Sequence, residues 1–377
     1  MKGKQGLVCM GLLLVLSSCH TGKQITASGL QRKDFQTEVN GQHTDLFTLS
    51  NKQGMEVCIT NYGARVVSIL VPDRNGKRED VVCGFSTITE YMEQRQNFGS
   101  TVGRYIGRIL NARFTLDGVE YKLVPNNGKS GHISHGGNPG FADRIWKVEQ
   151  ADTHRVRLSY LSPDGENGFP GNLKVTLVYS LGEDDNALDL TYEATTDAPT
   201  VLNLSHHSFF NISGNFTKSV EDQQLWVDAD RFTPYDDKKC VTGEYLPVAG
   251  TPLDFRMPHT IGECIDADHP QLKVVNGYDH TWELNTKGDD TRPAVWVYDP
   301  ASGRKMEIFT TEPGMQIYTG NGLKGKMTGK GGIAYPFRSA VCFETMHFQD
   351  SPNQPGFPST VLRPGEVFRS HTVYKFE

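Results

Sequence analysis

The sequence predicts an all-β protein built from large, packed antiparallel sheets. Three observations carry that expectation. The dominant periodicity is two, the spacing at which side chains alternate between the faces of a strand. Loops rich in Gly, Pro, Asn and Asp recur between these runs, in a chain that holds 39 glycines. No strand–helix–strand alternation appears, so a parallel sheet with crossover helices is not expected.

The chain opens on MKGKQGLVCMGLLLVLSSCH, with Lys2 and Lys4, an apolar run from Leu7 to Leu16, and small residues after it. That pattern reads as a secretory signal over residues 1–18, and the run is too short to span a bilayer as a mature helix. Leu16-Ser17-Ser18-Cys19 resembles a bacterial lipoprotein box, in which Cys19 is lipidated and becomes the N-terminus. The alternative is an ordinary signal cut nearby, with Cys19 incidental. Residues 19–29 then read as a tether, the acyl chains hold the membrane, and the protein faces the periplasm.

The clearest helix candidate is TITEYMEQRQ, where Thr87 and Glu90 form a capping box. In RVRLSYL, Val156, Leu158 and Tyr160 alternate with polar neighbours. NLKVTLVYSL repeats the alternation with Leu173, Val175, Leu177 and Tyr179, and NALDLTYEATT with Leu188, Leu190 and Tyr192. PAVWVYDPASGRKMEIFTT reads as a hairpin with its turn at Asp299 to Gly303. Neither a repeat nor a linker interrupts residues 30–377, which are read as one domain.

Composition bounds the partners. The chain of 377 residues is 37% hydrophobic and 22% charged, and its net charge of −6 has no basic patch behind it, which argues against nucleic acid. Cys58, Cys83, Cys240, Cys264 and Cys342 form no C-x-x-C pair and read as buried small hydrophobes, so no metal site is expected. GNGLKG at 320–325 satisfies a dinucleotide fingerprint, and GNGLKGKM nearly spells a P-loop. Both need a helix to begin there, and MTGKGGIAYPF is too glycine-rich for one, so the segment reads as a loop.

The polar residues stranded in apolar runs are the candidates for chemistry. Glu344 lies in AVCFETMHF, where an ionised carboxylate is costly unless paired; it is either a structural ion pair or a general base kept dry. Asp279 stands in NGYDHTWEL, Arg108 in GRYIGRIL and His135 in the glycine-rich GHISHGG. NLSHHSFFN carries His206 and His207, which on a strand must point to opposite faces. A hydrolase nucleophile elbow, G-x-S-x-G, is absent from the sequence, whereas Asp279 with Glu344 could supply the two carboxylates of a glycosidase.

ITNYGARVVSILVPDRNGK, TVGRYIGRI, HGG at 135–137, NLSHHSFFN, YDHTW, TTEPGMQIYTGN, GKGG and FETMHFQDSPNQPGFPSTVLRPGE occur in an order and spacing that resemble the aldose 1-epimerase (galactose mutarotase) family. The resemblance spans nearly all of residues 30–377 and implies a large antiparallel β-sandwich with an open sugar-binding cleft. It implies interconversion of the α- and β-anomers of free aldoses such as glucose and galactose, with a monosaccharide as partner and no cofactor. By the same resemblance Glu344 is the general base, His207 the general acid, and Arg108, His135 and Asp279 hold the sugar. Glu344 is expected ionised and His207 protonated in one resting state, and His206 is expected to point away from the cleft or lie at its rim.

Three residues depart from the family pattern: Gly107 and His206 replace the usual asparagines, and Met346 the usual glutamine. They bear on sugar preference. Two other readings remain: a relative acting on a different sugar, such as a phosphorylated one drawn to the lysines of GLKGKMTGKGG, and a non-catalytic carbohydrate-binding lipoprotein using Trp282 and Trp296.

Overall fold

The structure, a computed structural model, describes residues 24–377. The signal at 1–18 and the lipidated Cys19 lie outside the described residues. Two facing sheets frame the domain. The larger has nine strands in the order 147–151, 155–162, 173–181, 187–196, 368–376, 305–310, 295–298, 224–227 and 259–260. The smaller has six, in the order 209–210, 341–346, 314–318, 279–283, 231–233 and 246–247. Every pairing among them is antiparallel.

The alternation read from the sequence is the alternation of the fold. Leu173, Val175, Leu177 and Tyr179 are fully buried, and the strand Leu173–Leu181 pairs residue for residue with Ala187–Thr196. Their inner faces meet Phe343, Ile317 and Trp282 of the six-stranded sheet in one continuous core. Hydroxyls also join the sheets: Thr345 Oγ1 lies 2.7 Å from Thr372 Oγ1, and Tyr374 donates to the Phe343 carbonyl at 3.2 Å. The hairpin forms as expected from Val295–Tyr298 and Lys305–Thr310. The helix spans Ile88–Gln94, with the Thr87–Glu90 capping box intact.

Three expectations need correction. Residues 24–29, assigned to the tether, are held on the domain: Thr26 is buried, Ala27 N–H donates to Glu56 Oε1 at 2.6 Å, and Ser28 Oγ meets Ser68 Oγ at 3.0 Å. Cys58, Cys83 and Cys342 are buried, but Cys240 and Cys264 are only half-buried, because both sit on connecting segments rather than strands. Trp282 cannot take a sugar, being fully buried with its indole N–H on the Leu253 carbonyl.

Candidate active site

The strand Val341–Met346 carries the base candidate, and both of its faces are covered. Val341, Phe343 and Thr345 face the nine-stranded sheet, while Cys342, Glu344 and Met346 face the other way, Glu344 and Met346 into a cleft of about 260 Å³. Strand register delivers its neighbours: Thr281, Gln316 and Glu344 lie side by side on adjacent strands, with Asp279 two residues along the same face. Gln316 Nε2 donates to Asp279 Oδ1 at 2.6 Å and so fixes that carboxylate beside Glu344.

A short ladder between Ser100–Val102 and Ser205–His207 separates the two histidines. His207 enters the cleft, its Nε2 3.4 Å from Glu344 Oε1 and its Nδ1 3.6 Å from Cys342 Sγ. Phe209 stacks against the ring with centroids 5.1 Å apart. His206 points the other way, into the core between Tyr179 and Tyr374, with Nε2 2.6 Å from Ser208 Oγ. It lies deep in the fold and not at the rim. Burial holds its imidazole down to about 3, so it is neutral there.

Arg108 and His135 come from a second small ladder, in which Arg108 pairs with Ser134. His135 N–H donates to the Gly107 carbonyl at 2.9 Å, and the Gly107 N–H is directed at His135 Nδ1 at 3.4 Å. With Nδ1 accepting, the neutral ring carries its hydrogen on Nε2 and can donate. Arg108 donates to the Lys239 carbonyl at 3.1 Å and lies over the Tyr235 ring. All five residues expected in the site therefore line one cleft.

Burial acts on both ionisable partners in the cleft. Burial drives the Glu344 carboxyl well above its usual range, and the nearby Asp279 carboxylate adds to the shift. Burial lowers the His207 imidazole to about 4. Both shifts point towards the neutral forms, because each ion loses water in the cleft, while the 3.4 Å contact between the two groups favours the carboxylate and imidazolium. The proton count is the same in both forms: one proton is held, on the carboxyl or on the imidazole.

Several lining residues were not anticipated: Gln96, Asn97, Tyr318, Gln316 and Gln349. Gln349 Nε2 donates to Tyr235 Oη at 2.7 Å and reaches Gln316 Oε1 at 3.3 Å, which extends the chain of bonds ending on Asp279. Gln316 in MQIYT carried the same signal as Glu344, a polar residue inside an apolar run. Gln349 and Met346 bear on one departure from the family pattern, Gly107. Gly107 has φ +76, and a Cβ there would fall 2.6 Å from Gln349 Cγ and 3.3 Å from Met346 Cε, so the bare backbone makes room for both.

The glycine loop at 320–325 starts no helix, and its Gly322 N–H donates to Tyr318 Oη at 2.6 Å, bracing the cleft wall. His207, Cys342 and Glu344 offer three atoms within 4.8 Å of one another, the spacing of a metal site. Burial pushes the Cys342 thiol far up, which opposes the thiolate a cation needs.

Known proteins share both the sequence and the fold of this chain. The family model described as aldose 1-epimerase matches residues 45–375. A galactose mutarotase from Bos taurus is 40% identical over 88% of this chain and 93% of its own length. An aldose 1-epimerase from Escherichia coli K12 is 36% identical over 89% of this chain and 96% of its own. An aldose epimerase homologue from C. elegans superposes with a TM-score of 0.81 at 31% identity, over 89% of this chain and 99% of that one. With shared sequence over most of its length and the same fold beneath it, the chain belongs to the aldose 1-epimerase family.

Proposed function

We propose that Glu344 and His207 open and reclose the ring of a free aldohexose such as glucose or galactose; the protein is an aldose 1-epimerase, a carbohydrate isomerase. The observation that carries the assignment of roles is the 3.4 Å separation of His207 Nε2 and Glu344 Oε1 on the wall of a polar cleft. Glu344 takes the proton of the C1 hydroxyl as that oxygen forms the aldehyde. The C1–ring oxygen bond breaks, and His207 delivers its proton to the departing oxygen. Rotation about C1–C2 and the reverse transfers give the other anomer and restore both groups.

The proton balance suits the site. Ring opening converts a carboxylate and an imidazolium into a carboxyl and an imidazole, the pair that burial favours. The carboxylate and imidazolium are the reactive form, reached by shifting the one shared proton from Glu344 to His207, and ring opening returns the site to the neutral pair. Asp279 orients hydroxyls, while Arg108 and His135 donate to ring oxygens.

Polarimetry on fresh α-glucose, α-galactose and α-xylose tests the reading: catalysed relaxation to the equilibrium rotation is expected, with α-methyl glycosides untouched. Release of methanol from those glycosides would instead identify a glycosidase built on Asp279 and Glu344. We also propose that Cys19 is lipidated after removal of residues 1–18 and anchors the enzyme on the periplasmic side of a bacterial membrane. Retention of the wild-type chain in the membrane fraction, and its release by Cys19→Ala, is the corresponding test.

A further inference from the structure

A second chamber opens from the catalytic cleft. It encloses about 280 Å³, close to the cleft's own 260 Å³, and the two share Asn97, Ser134 and His135. Beyond these it is lined by Arg95, Asn127, Asn138 and Asp143, among others. Amide side chains present donors and acceptors together, which suits sugar hydroxyls, and the single arginine is matched by a single carboxylate.

The chamber is preformed. Arg65, buried beneath it, donates to the Gln96 carbonyl at 2.7 Å, the Phe98 carbonyl at 2.9 Å and the Ala142 carbonyl at 2.9 Å, tying the two walls together. Asn167 Nδ2 holds the Gly136 and Pro139 carbonyls at 2.8 and 2.9 Å. Asn126 clamps Ser134 through both its N–H, at 2.7 Å, and its carbonyl, at 3.0 Å. No induced ordering is needed before a ligand can use it.

Its position selects the linkage. Side chains cross the cleft in the order Asp279, Glu344, His207, His135: Asp279 is bonded to Gln316, the cross-strand partner of Glu344, Glu344 touches His207, and His135 sets its ring edge against His207 with centroids 5.4 Å apart. In a pyranose the atoms run in the matching order C2, C1, ring oxygen, C5. With O1 on Glu344 and the ring oxygen on His207, C5 and its C6 arm leave on the His135 side, where the chamber begins. A substituent on O4 leaves from C4, the ring atom across from C1, and so points away from the wall that carries Glu344 and His207.

We propose that the enzyme acts on neutral reducing disaccharides joined through O6 of the reducing unit, whose second ring occupies this chamber. The inference rests on the assignment of Glu344 to O1 and His207 to the ring oxygen. The chamber's balanced charge favours a neutral ring over a 6-phosphate.

Polarimetry in parallel on glucose, melibiose and isomaltose (1→6), maltose and lactose (1→4), and glucose 6-phosphate separates the possibilities. The 1→6 disaccharides are expected to show a KM below that of glucose by about three- to tenfold, the range one neutral hydrogen bond supplies. Arg95→Ala and Asn127→Ala, which line the chamber and not the catalytic cleft, should erase that advantage and leave glucose unchanged. Equal or weaker use of the 1→6 sugars than of the 1→4 sugars, or a KM advantage confined to the phosphate, overturns the proposal. Loss of activity on glucose itself would instead remove the epimerase reading on which it rests.

Discussion

Glu344→Gln should slow the enzyme and stabilise it at once, because burial gives this side chain its reactivity at the expense of the fold. The carboxyl is 4% exposed, and desolvation and Asp279 hold it well above its ordinary value of 4.5. The folded protein therefore binds this proton more tightly than the unfolded chain does. Its ionisation subtracts stability as pH rises from 4.5 towards the folded value, and the amide carries no such cost. Each ~1 kcal/mol relieved raises Tm by about 2 °C in a chain of this size. The amide keeps the shape and one acceptor but cannot take a proton, so kcat on glucose should fall by about 10²- to 10⁴-fold. Calorimetry at pH 4 and pH 8, beside polarimetry at neutral pH, reads both effects. The melting points should coincide at pH 4, and the variant should lead at pH 8. A variant that melts below wild type at pH 8, or retains kcat within tenfold, would refute the placement of a strained, buried base.

The two histidines should behave differently: His207→Asn loses about 10²- to 10⁴-fold in kcat with little change in Tm. His206→Asn instead costs about 1–3 kcal/mol, through its bond to Ser208 and its packing between two tyrosines, with kcat within a few-fold of wild type. On the outer face of the larger sheet, His371 lies 2.7 Å from Asp189 and 2.6 Å from Asp290, and its imidazole is pushed up to about 9 by the hydrogen bond to Asp189 first, against some desolvation. That clamp contributes fully below 6.5 and is lost as pH rises through about 9, so the melting gap between wild type and His371→Asn should be widest near pH 6 and close above pH 9. Gly107→Asn must displace Gln349, and it should raise KM by loosening the bonds that end on Asp279 while leaving the pH profile of kcat in place.

The parts of the fold legible in the sequence are those with one wet face. Strands 155–162, 173–181 and 187–196 alternate because one side meets water, and Thr87 with Glu90 announces a helix because both groups satisfy backbone N–H donors locally. Strands 56–60 and 341–346 give no alternation because both faces are covered. In the site, Glu344 and His207 stood out as polar residues among apolar ones. Gln349 did not, since HFQDSPNQ reads as an ordinary loop and its value comes from the bare backbone of Gly107, 242 positions away in the chain and in contact in space. The burial of the pair was not legible for a related reason: a motif names the acid and the base but not how dry their surroundings are.

The strand Phe368–Phe376 lies inside the nine-stranded sheet, paired with Ala187–Thr196 on one side and Lys305–Thr310 on the other. It comes later in the chain than every strand it joins. Until it leaves the ribosome, the two halves of the sheet face each other with bare edges and cannot close. Contacts across such sequence separations make folding slow, and they keep the nascent polypeptide unfolded while it is made. The nine-stranded sheet is thus sealed only by the last of its strands to be made, and its closure waits for the whole domain.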